Sequence, residues 1–167
     1  MNVAVRVAPT EGTPAAVEYR WDVDTDILTA HIAASDAGEG LSGSVEIEGR
    51  DGSWLILDVR RGQLAGVEVA VWPDVRIAGA LTPPASVVNA RVSIPARPLQ
   101  PGTVSVEVDT QLTAEADQAE RTVHFRIGGA RTAQTVRAAQ DLLLELDKEQ
   151  HIVGVWMLNV PPFPGES

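Results

Sequence analysis

Residues 55–71, LILDVRRGQLAGVEVAV, recur later in the chain as residues 142–158, LLLELDKEQHIVGVWML. In each copy an apolar run ends in an acidic residue, a polar turn follows, and an aliphatic-x-Gly-Val step opens a second apolar run. Two apolar runs joined by a short polar connection are typical of a β-hairpin. The sequence therefore predicts the same hairpin twice.

The repeat extends upstream of both hairpins. Residues 19–32, YRWDVDTDILTAHI, align without a gap on residues 114–127, AEADQAERTVHFRI, and this alignment places His31 opposite Arg126. A repeat of this size predicts two copies of one supersecondary unit. Neither copy alone is expected to bury both faces of its sheet, so the copies are predicted to pack together.

These patterns predict an all-β protein, with two tandem hairpin-rich repeats forming one barrel-like or sandwich domain over residues 1–167. Repeat unit one is assigned to residues 17–72 and unit two to residues 112–160, with a linker at residues 73–86 that contains Gly and Pro. For residues 130–140 the repeat predicts extended chain, although the spacing of the apolar residues also fits a short helix.

Composition excludes several classes of function. The chain has 167 residues, a formal net charge of −10 and no Cys, so disulfides and a Cys nucleophile are excluded. Nucleic acids and anionic membranes attract clustered cations, and neither is expected as a partner. The first residues lack a secretion signal and no apolar run is long enough to span a membrane, which predicts a cytoplasmic protein.

Neither a metal nor a cofactor is predicted. His31, His124 and His151 share no metal-ligand spacing, and no Cys is present to complete a site.

The first hairpin carries a family resemblance. Its LDVRRGQLAGVEV segment, together with the upstream Asp-x-Asp-Ile-Leu step of residues 24–28, resembles the small bacterial family catalogued as domain of unknown function 2283. Unit two departs from that pattern, since Trp156 stands where unit one has Glu68, and Gln150 replaces the turn residue Gly62. The resemblance implies a small β fold and brings no assigned activity.

Strand alternation gives each hairpin one aliphatic face and one face that mixes large aromatic side chains with carboxylates. If the sheet curls, the mixed faces are expected to line one apolar pocket that Trp54, Trp72 and Trp156 surround. In the alternative interpretation these faces form a second core or an oligomer interface. In the pocket interpretation the predicted catalytic residues are Glu68, Asp58 and Glu145, and the predicted ligand-binding residues are Trp54, Trp72, Trp156, Trp21 and His31.

Two functions follow from these alternatives. The first is a cofactor-independent protein that binds a lipophilic small molecule, with an intramolecular cyclase or isomerase of bacterial secondary metabolism as its enzymatic form. An acid that faces a dry pocket is then expected to have a raised pKa. The second function is a non-catalytic interaction or oligomerisation module that pairs with itself as a homodimer, or with another chain.

Overall fold

The computed structural model of the chain describes residues 3–33, 42–94 and 103–164, and for residues 103–109 it describes the backbone alone. The described residues form strands and no helix, which confirms the all-β prediction. Accordingly, none of them belongs to a helix with the length and apolar character needed to cross a membrane. The strands are β1 (Arg6–Pro9), β2 (Val17–Asp22), β3 (Ile27–Ile32), β4 (Ser42–Gly49), β5 (Trp54–Arg60), β6 (Gln63–Val71), β7 (Val75–Ile77), β8 (Val88–Ser93), β9 (Thr103–Thr110), β10 (Leu112–Ala116), β11 (Val123–Ile127), β12 (Gln134–Ala139), β13 (Leu142–Leu146) and β14 (Ile152–Met157).

The two units have the same strand order. In unit one the order is β2-β3-β6-β5-β4-β9, and in unit two it is β10-β11-β14-β13-β12-β8. Neighbouring strands are antiparallel in both units except the last pair, β4 with β9 and β12 with β8, which is parallel. The path through the strands ends at β7 and β9, so the sheet is not closed into a complete barrel.

The central hairpins also share their register. Asp58 pairs with Gly66 in unit one, Glu145 pairs with Gly154 in unit two, and a β-bulge follows each of these pairs. A bulge re-aims the strand that carries it. The polar side chains beside the two bulges therefore occupy corresponding positions.

The connecting segments cross between the units. The predicted linker at residues 73–86 contains β7, which pairs in parallel with β10 of unit two. Strand β8 follows unit one in the chain but pairs with β12 of unit two, and β9 precedes unit two but pairs with β4 of unit one. Strand β8 also contacts β6 through the pair Gln63 and Ser93, and it pairs with β1. These crossings join the two units into one sheet.

Inward-facing aliphatic side chains of both units form one hydrophobic core. Its fully buried members include Leu55, Leu57, Val59, Leu142, Leu144 and Leu146, which lie on β5 and β13.

Residues 134–139 form strand β12, as the repeat predicts, and not the alternative helix. The register shifts between Arg137 and Ala139, which places Val136 and Ala139 in the core although they are three residues apart. The bulge therefore produces the three-residue apolar spacing that a helix also produces.

We predict that Gly66→Ala destabilises the protein. A Cβ atom at Gly66 would lie 2.6 Å from the backbone carbonyl oxygen of Ala30 on the neighbouring strand, and a sheet carbonyl has little freedom to move. We expect a loss of about 1 to 3 kcal/mol in the free energy of unfolding, measured by chemical denaturation. Gly79→Ala is the control, because a Cβ there meets no atom within 4 Å. Equal stability of the two variants would contradict the packing in the structure.

Candidate functional site

Three of the predicted site residues lie on the outer face of unit one. Asp58 and His31 both pair with Gly66 and are exposed, and Glu68 on the same face is half-buried. These side chains are at the surface of the sheet and do not face a closed volume. The expectation that they line one pocket with the Trp residues is corrected by this arrangement.

The corresponding face of unit two carries a buried polar cluster around Glu145. Its Oε1 atom is in close contact with Nε2 of His124, and its Oε2 atom accepts a hydrogen bond of 3.1 Å from Oγ1 of Thr132. Nη1 of Arg126 lies 3.7 Å from Oε1 and donates to Oγ1 of Thr132 at 3.0 Å. The Glu145 side chain, 8% exposed, is therefore held by two potential cations and a hydroxyl group.

Gly154 provides the space for this cluster. A Cβ atom at Gly154 would lie 3.0 Å from Cδ and 3.2 Å from Cβ of Glu145, so any larger residue would displace the carboxylate. His124 and Arg126 lie on β11, which pairs with the far side of β14. The Glu145 side chain thus crosses β14 over Gly154 to reach the neighbouring strand. The Gly of the repeated aliphatic-x-Gly-Val step makes this crossing possible.

Trp156 covers the His124 ring. The two rings are stacked, with centroids 3.9 Å apart and planes inclined by 9°. Trp156 is buried, and its indole Nε1 has no hydrogen-bond partner among the residues that the structure describes. In unit one the corresponding ladder pair is Thr29 and Glu68, which forms no such stack.

The environment of Glu145 keeps it ionised. Burial raises the pKa of its carboxyl, but the hydrogen bond and charge of His124, the hydrogen bond of Thr132 and the charge of Arg126 lower it. The lowering effects prevail, and the pKa lies below its ordinary value of 4.5. The expectation of a raised pKa is therefore wrong for Glu145. Chemically, the carboxylate fixes the orientation of His124, as carboxylates do beside catalytic or ligating imidazoles.

A separate apolar feature, which we call the aromatic groove, has a volume of about 380 Å³. It is lined by Trp21, Trp72, Val75, Ile77, Ala116, Glu120, Val123 and Val160. A neighbouring depression of about 280 Å³ shares Trp21, Trp72 and Glu120 with it and adds Asp26, Ala119, Pro161, Pro162 and Phe163. Both cavities lie where the ends of the two units meet.

Hydrogen bonds fix the two Trp side chains of the groove. The indole N–H of Trp21 donates to the carbonyl oxygen of Pro161 at 2.9 Å, and that of Trp72 donates to the carbonyl oxygen of Asp26 at 2.8 Å. The two rings are stacked with centroids 5.8 Å apart. Trp72 also packs against Phe125 of the core at 5.7 Å. Their donors are thus already paired, and the two side chains form part of the wall of the groove.

Corresponding positions of the two units build the groove. Trp21 is the fifth residue of β2 and Ala116 the fifth residue of β10, in the same register with β3 and β11. Trp72 lies three residues after the β6 residue that pairs with Leu55. Val160 likewise lies three residues after the β14 residue that pairs with Leu142. Unit one supplies large aromatic groups and unit two supplies small aliphatic groups. This difference in size leaves the space between them open.

The predicted Trp residues therefore occupy separate places. Trp72 packs on Phe125, whereas Trp156 stacks on His124, the preceding residue of β11. Adjacent strand residues point to opposite faces, so Trp72 and Trp156 lie on opposite sides of that strand. Trp54 does not line the groove, and its indole nitrogen is buried without a partner among the described residues. The prediction that Trp54, Trp72 and Trp156 surround one volume is corrected.

The sequence interpretation missed several side chains of these sites. His124 is not among the site residues that the sequence predicts, and Val75 and Ile77 fall in the predicted linker at residues 73–86. Val75 and Ile77 alternate around Arg76, a pattern typical of a strand, and this alternation is the sequence signal for β7. Within the described ranges, no three His, Asp or Glu side chains lie together as a set that could hold a metal ion.

Comparison with known protein families finds none that matches the chain, and comparison with curated proteins finds no match either. The candidate sites are therefore judged on their geometry.

We predict that Glu145→Gln lowers stability at neutral pH more than Asp58→Asn does. The two acids correspond in the repeat, but only Glu145 is buried in charged hydrogen bonds. We expect a loss of about 2 kcal/mol for Glu145→Gln and less than about 0.5 kcal/mol for the exposed Asp58→Asn. Chemical denaturation at pH 7 measures both, and equal losses would contradict a structural role for the cluster.

The same two variants also test how the stability contribution of Glu145 depends on pH. The folded-state pKa of Glu145 is below 4.5, so its contribution to stability is complete above pH 4.5 and is lost as the pH falls through the folded value. The stability difference between the wild type and Glu145→Gln should therefore shrink as the pH falls below 4.5. A difference that stays constant down to the acid transition would show that the carboxylate charge is not involved.

Proposed function

We propose that this protein binds a lipophilic small molecule in the aromatic groove. The observation that carries the proposal is the pair of stacked, half-buried rings of Trp21 and Trp72, which face open space although both side chains are fixed. Ligand sites are typically concave and apolar, with a few polar groups that orient the ligand, and they have volumes from about 300 Å³ upward. A groove of about 380 Å³ fits a ligand of one or two rings.

The aliphatic side chains of β7 that line the groove also favour a ligand of this kind. Val75 and Ile77 of β7 are 37% and 50% exposed, although both line the groove. A ligand that covers this apolar surface would gain roughly 25 cal/mol for each Å² that it removes from water. Exposed aliphatic residues beside aromatic rings mark a surface on which an apolar partner is favoured.

We propose that the groove binds its ligand without a catalytic contribution from Glu145. The titratable side chain that lines the groove is Glu120, whereas the buried acid Glu145 lies with His124 on the opposite face of β11 from Phe125 and Trp72. A ligand in the groove would not contact Glu145. The proposed function therefore gives Glu145 a positioning role towards His124 and no role towards the groove ligand.

Another cavity, of about 340 Å³, is less suited to an apolar ligand. Its lining includes Glu11, Arg91 and Arg137, so charged groups of both signs surround it. Desolvating such groups costs free energy unless the ligand replaces their hydrogen bonds. The aromatic groove has no comparable set of opposed charges.

We predict that Ile77→Gln weakens binding of a neutral apolar fluorophore such as N-phenyl-1-naphthylamine by about tenfold. The substitution puts a polar amide on the wall of the groove, and since Ile77 is half exposed we expect the fold to be unaffected. Fluorescence titration measures the dissociation constant. Val71→Gln is the matched control, because Val71 is 46% exposed on a strand and does not line the groove.

If Ile77→Gln, Val71→Gln and the wild type bind the fluorophore with equal affinity, the fluorophore binds at another site. That result would contradict the proposal. Analytical ultracentrifugation provides a second test. If the wild type forms a concentration-dependent dimer that Ile77→Gln abolishes, and the fluorophore does not bind, the groove is an interface between two copies of the chain and the binding proposal fails.

A further inference from the structure

We infer that the ligand of the aromatic groove is a lipophilic organic cation, such as a quaternary or protonated amine on a ring. This inference rests on the proposed function, because it names the class of molecule that the same groove would accept. Three properties of the groove carry it: the lack of free hydrogen-bond donors, the carboxylates and the aromatic rings of its lining.

The groove offers no free side-chain donor among its described residues. The only side-chain N–H groups in the lining are those of Trp21 and Trp72, and both already donate to backbone carbonyl oxygens. An anion or a carbonyl compound needs donors from the protein to replace its hydration. The lining therefore disfavours anionic ligands and does not penalise a molecule that lacks acceptors.

Carboxylates are the charged side chains of the lining. Glu120 borders both the groove and the neighbouring depression, and Asp26 borders the depression. The next cation along the chain, Arg121, lines neither cavity. The formal net charge of −10 adds a long-range field of the same sign. The groove therefore attracts positive charge both at short range, through its carboxylates, and at long range, through the net charge of the protein.

The turn that carries Glu120 is well defined. The Asp117 side chain accepts hydrogen bonds from the backbone N–H groups of Arg121 at 2.7 Å and of Thr122 at 3.1 Å. The N–H of Glu120 donates to the carbonyl oxygen of Asp117 at 3.0 Å. Glu120 has a φ of 57°, a left-handed conformation that is uncommon outside glycine. The local hydrogen bonds hold this residue at the mouth of the groove.

Aromatic side chains line both the groove and the neighbouring depression. Phe163 packs against Trp21 with ring centroids 5.2 Å apart and planes at 83°, so the depression has two walls nearly at right angles. A cation within about 6 Å of a ring face is attracted by the ring quadrupole, most strongly by Trp. Methylated ammonium groups are bound in other proteins by walls of this kind. Aromatic rings and carboxylates together favour a cation with an apolar body.

The test compares three ligands of nearly the same shape. Benzyltrimethylammonium and neopentylbenzene differ by a charged nitrogen in place of a carbon, and benzylsulfonate carries a negative charge. Each competes with N-phenyl-1-naphthylamine, which is neutral, for the wild-type protein. We expect the ammonium compound to displace the fluorophore at about tenfold lower concentration than the hydrocarbon, and benzylsulfonate to be the weakest of the three.

Two charge-matched variants locate the effect. Glu120→Gln removes the carboxylate of the groove, and Glu18→Gln removes an exposed carboxylate that pairs with Arg20 and does not line the groove. We expect Glu120→Gln to reduce the preference for the cation by about threefold and Glu18→Gln to leave it unchanged. Both positions are exposed, so we expect both variants to fold.

The outcomes separate the inference from the proposed function. If the hydrocarbon competes as well as the cation, or if benzylsulfonate is the strongest competitor, the inference is overturned while binding in the groove stands. If both variants reduce the preference equally, net charge is responsible and the role of the groove carboxylate is overturned. If the fluorophore does not bind the wild type at all, the proposed function fails and the inference fails with it.

Discussion

The fold depends on mutual burial of the apolar faces of the two units. Each unit is an array of strands with one aliphatic face, exemplified by Leu57 in unit one and Leu144 in unit two, and these faces share one core. An aliphatic face of this size is not stable in water, so neither unit is expected to be stable without the other. The crossing strands β7, β8 and β9 add main-chain hydrogen bonds between the units. Packing and pairing therefore require the same arrangement of the two repeats.

Once the units are packed, corresponding positions are free to diverge outside the shared core. Asp58 remains an exposed acid, whereas Glu145 at the matching position is one carbon longer and reaches across Gly154 to His124. At the junction of the units, Trp72 corresponds to the smaller Val160, and the difference in side-chain volume leaves the groove. Both candidate sites thus come from asymmetry between two copies of one strand pattern.

Local pattern explains which parts of this arrangement the sequence predicts. Residues within a hairpin are close in the chain, so their apolar alternation and turn spacing predict the hairpins. The aligned copies also predict that His31 and Arg126 occupy corresponding positions, and in the structure each of them pairs with a Gly. Pairing of Val75 with Ala114 leaves no such trace, because nothing in either segment identifies a partner so far along the chain. The side chains of the groove and the stack of His124 on Trp156 depend on pairings of that long-range kind.

The groove is also organised before any ligand arrives. The hydrogen bond of Trp21 ends on Pro161, which follows unit two, while that of Trp72 ends on Asp26 in a turn of unit one. Rings that are already fixed lose little conformational freedom on binding, so more of the contact free energy remains as affinity. Because the wall is assembled from both units, a ligand in the groove can bind only the packed state. Binding of the proposed ligand would therefore stabilise the association of the units by mass action, which would link the groove and the core thermodynamically.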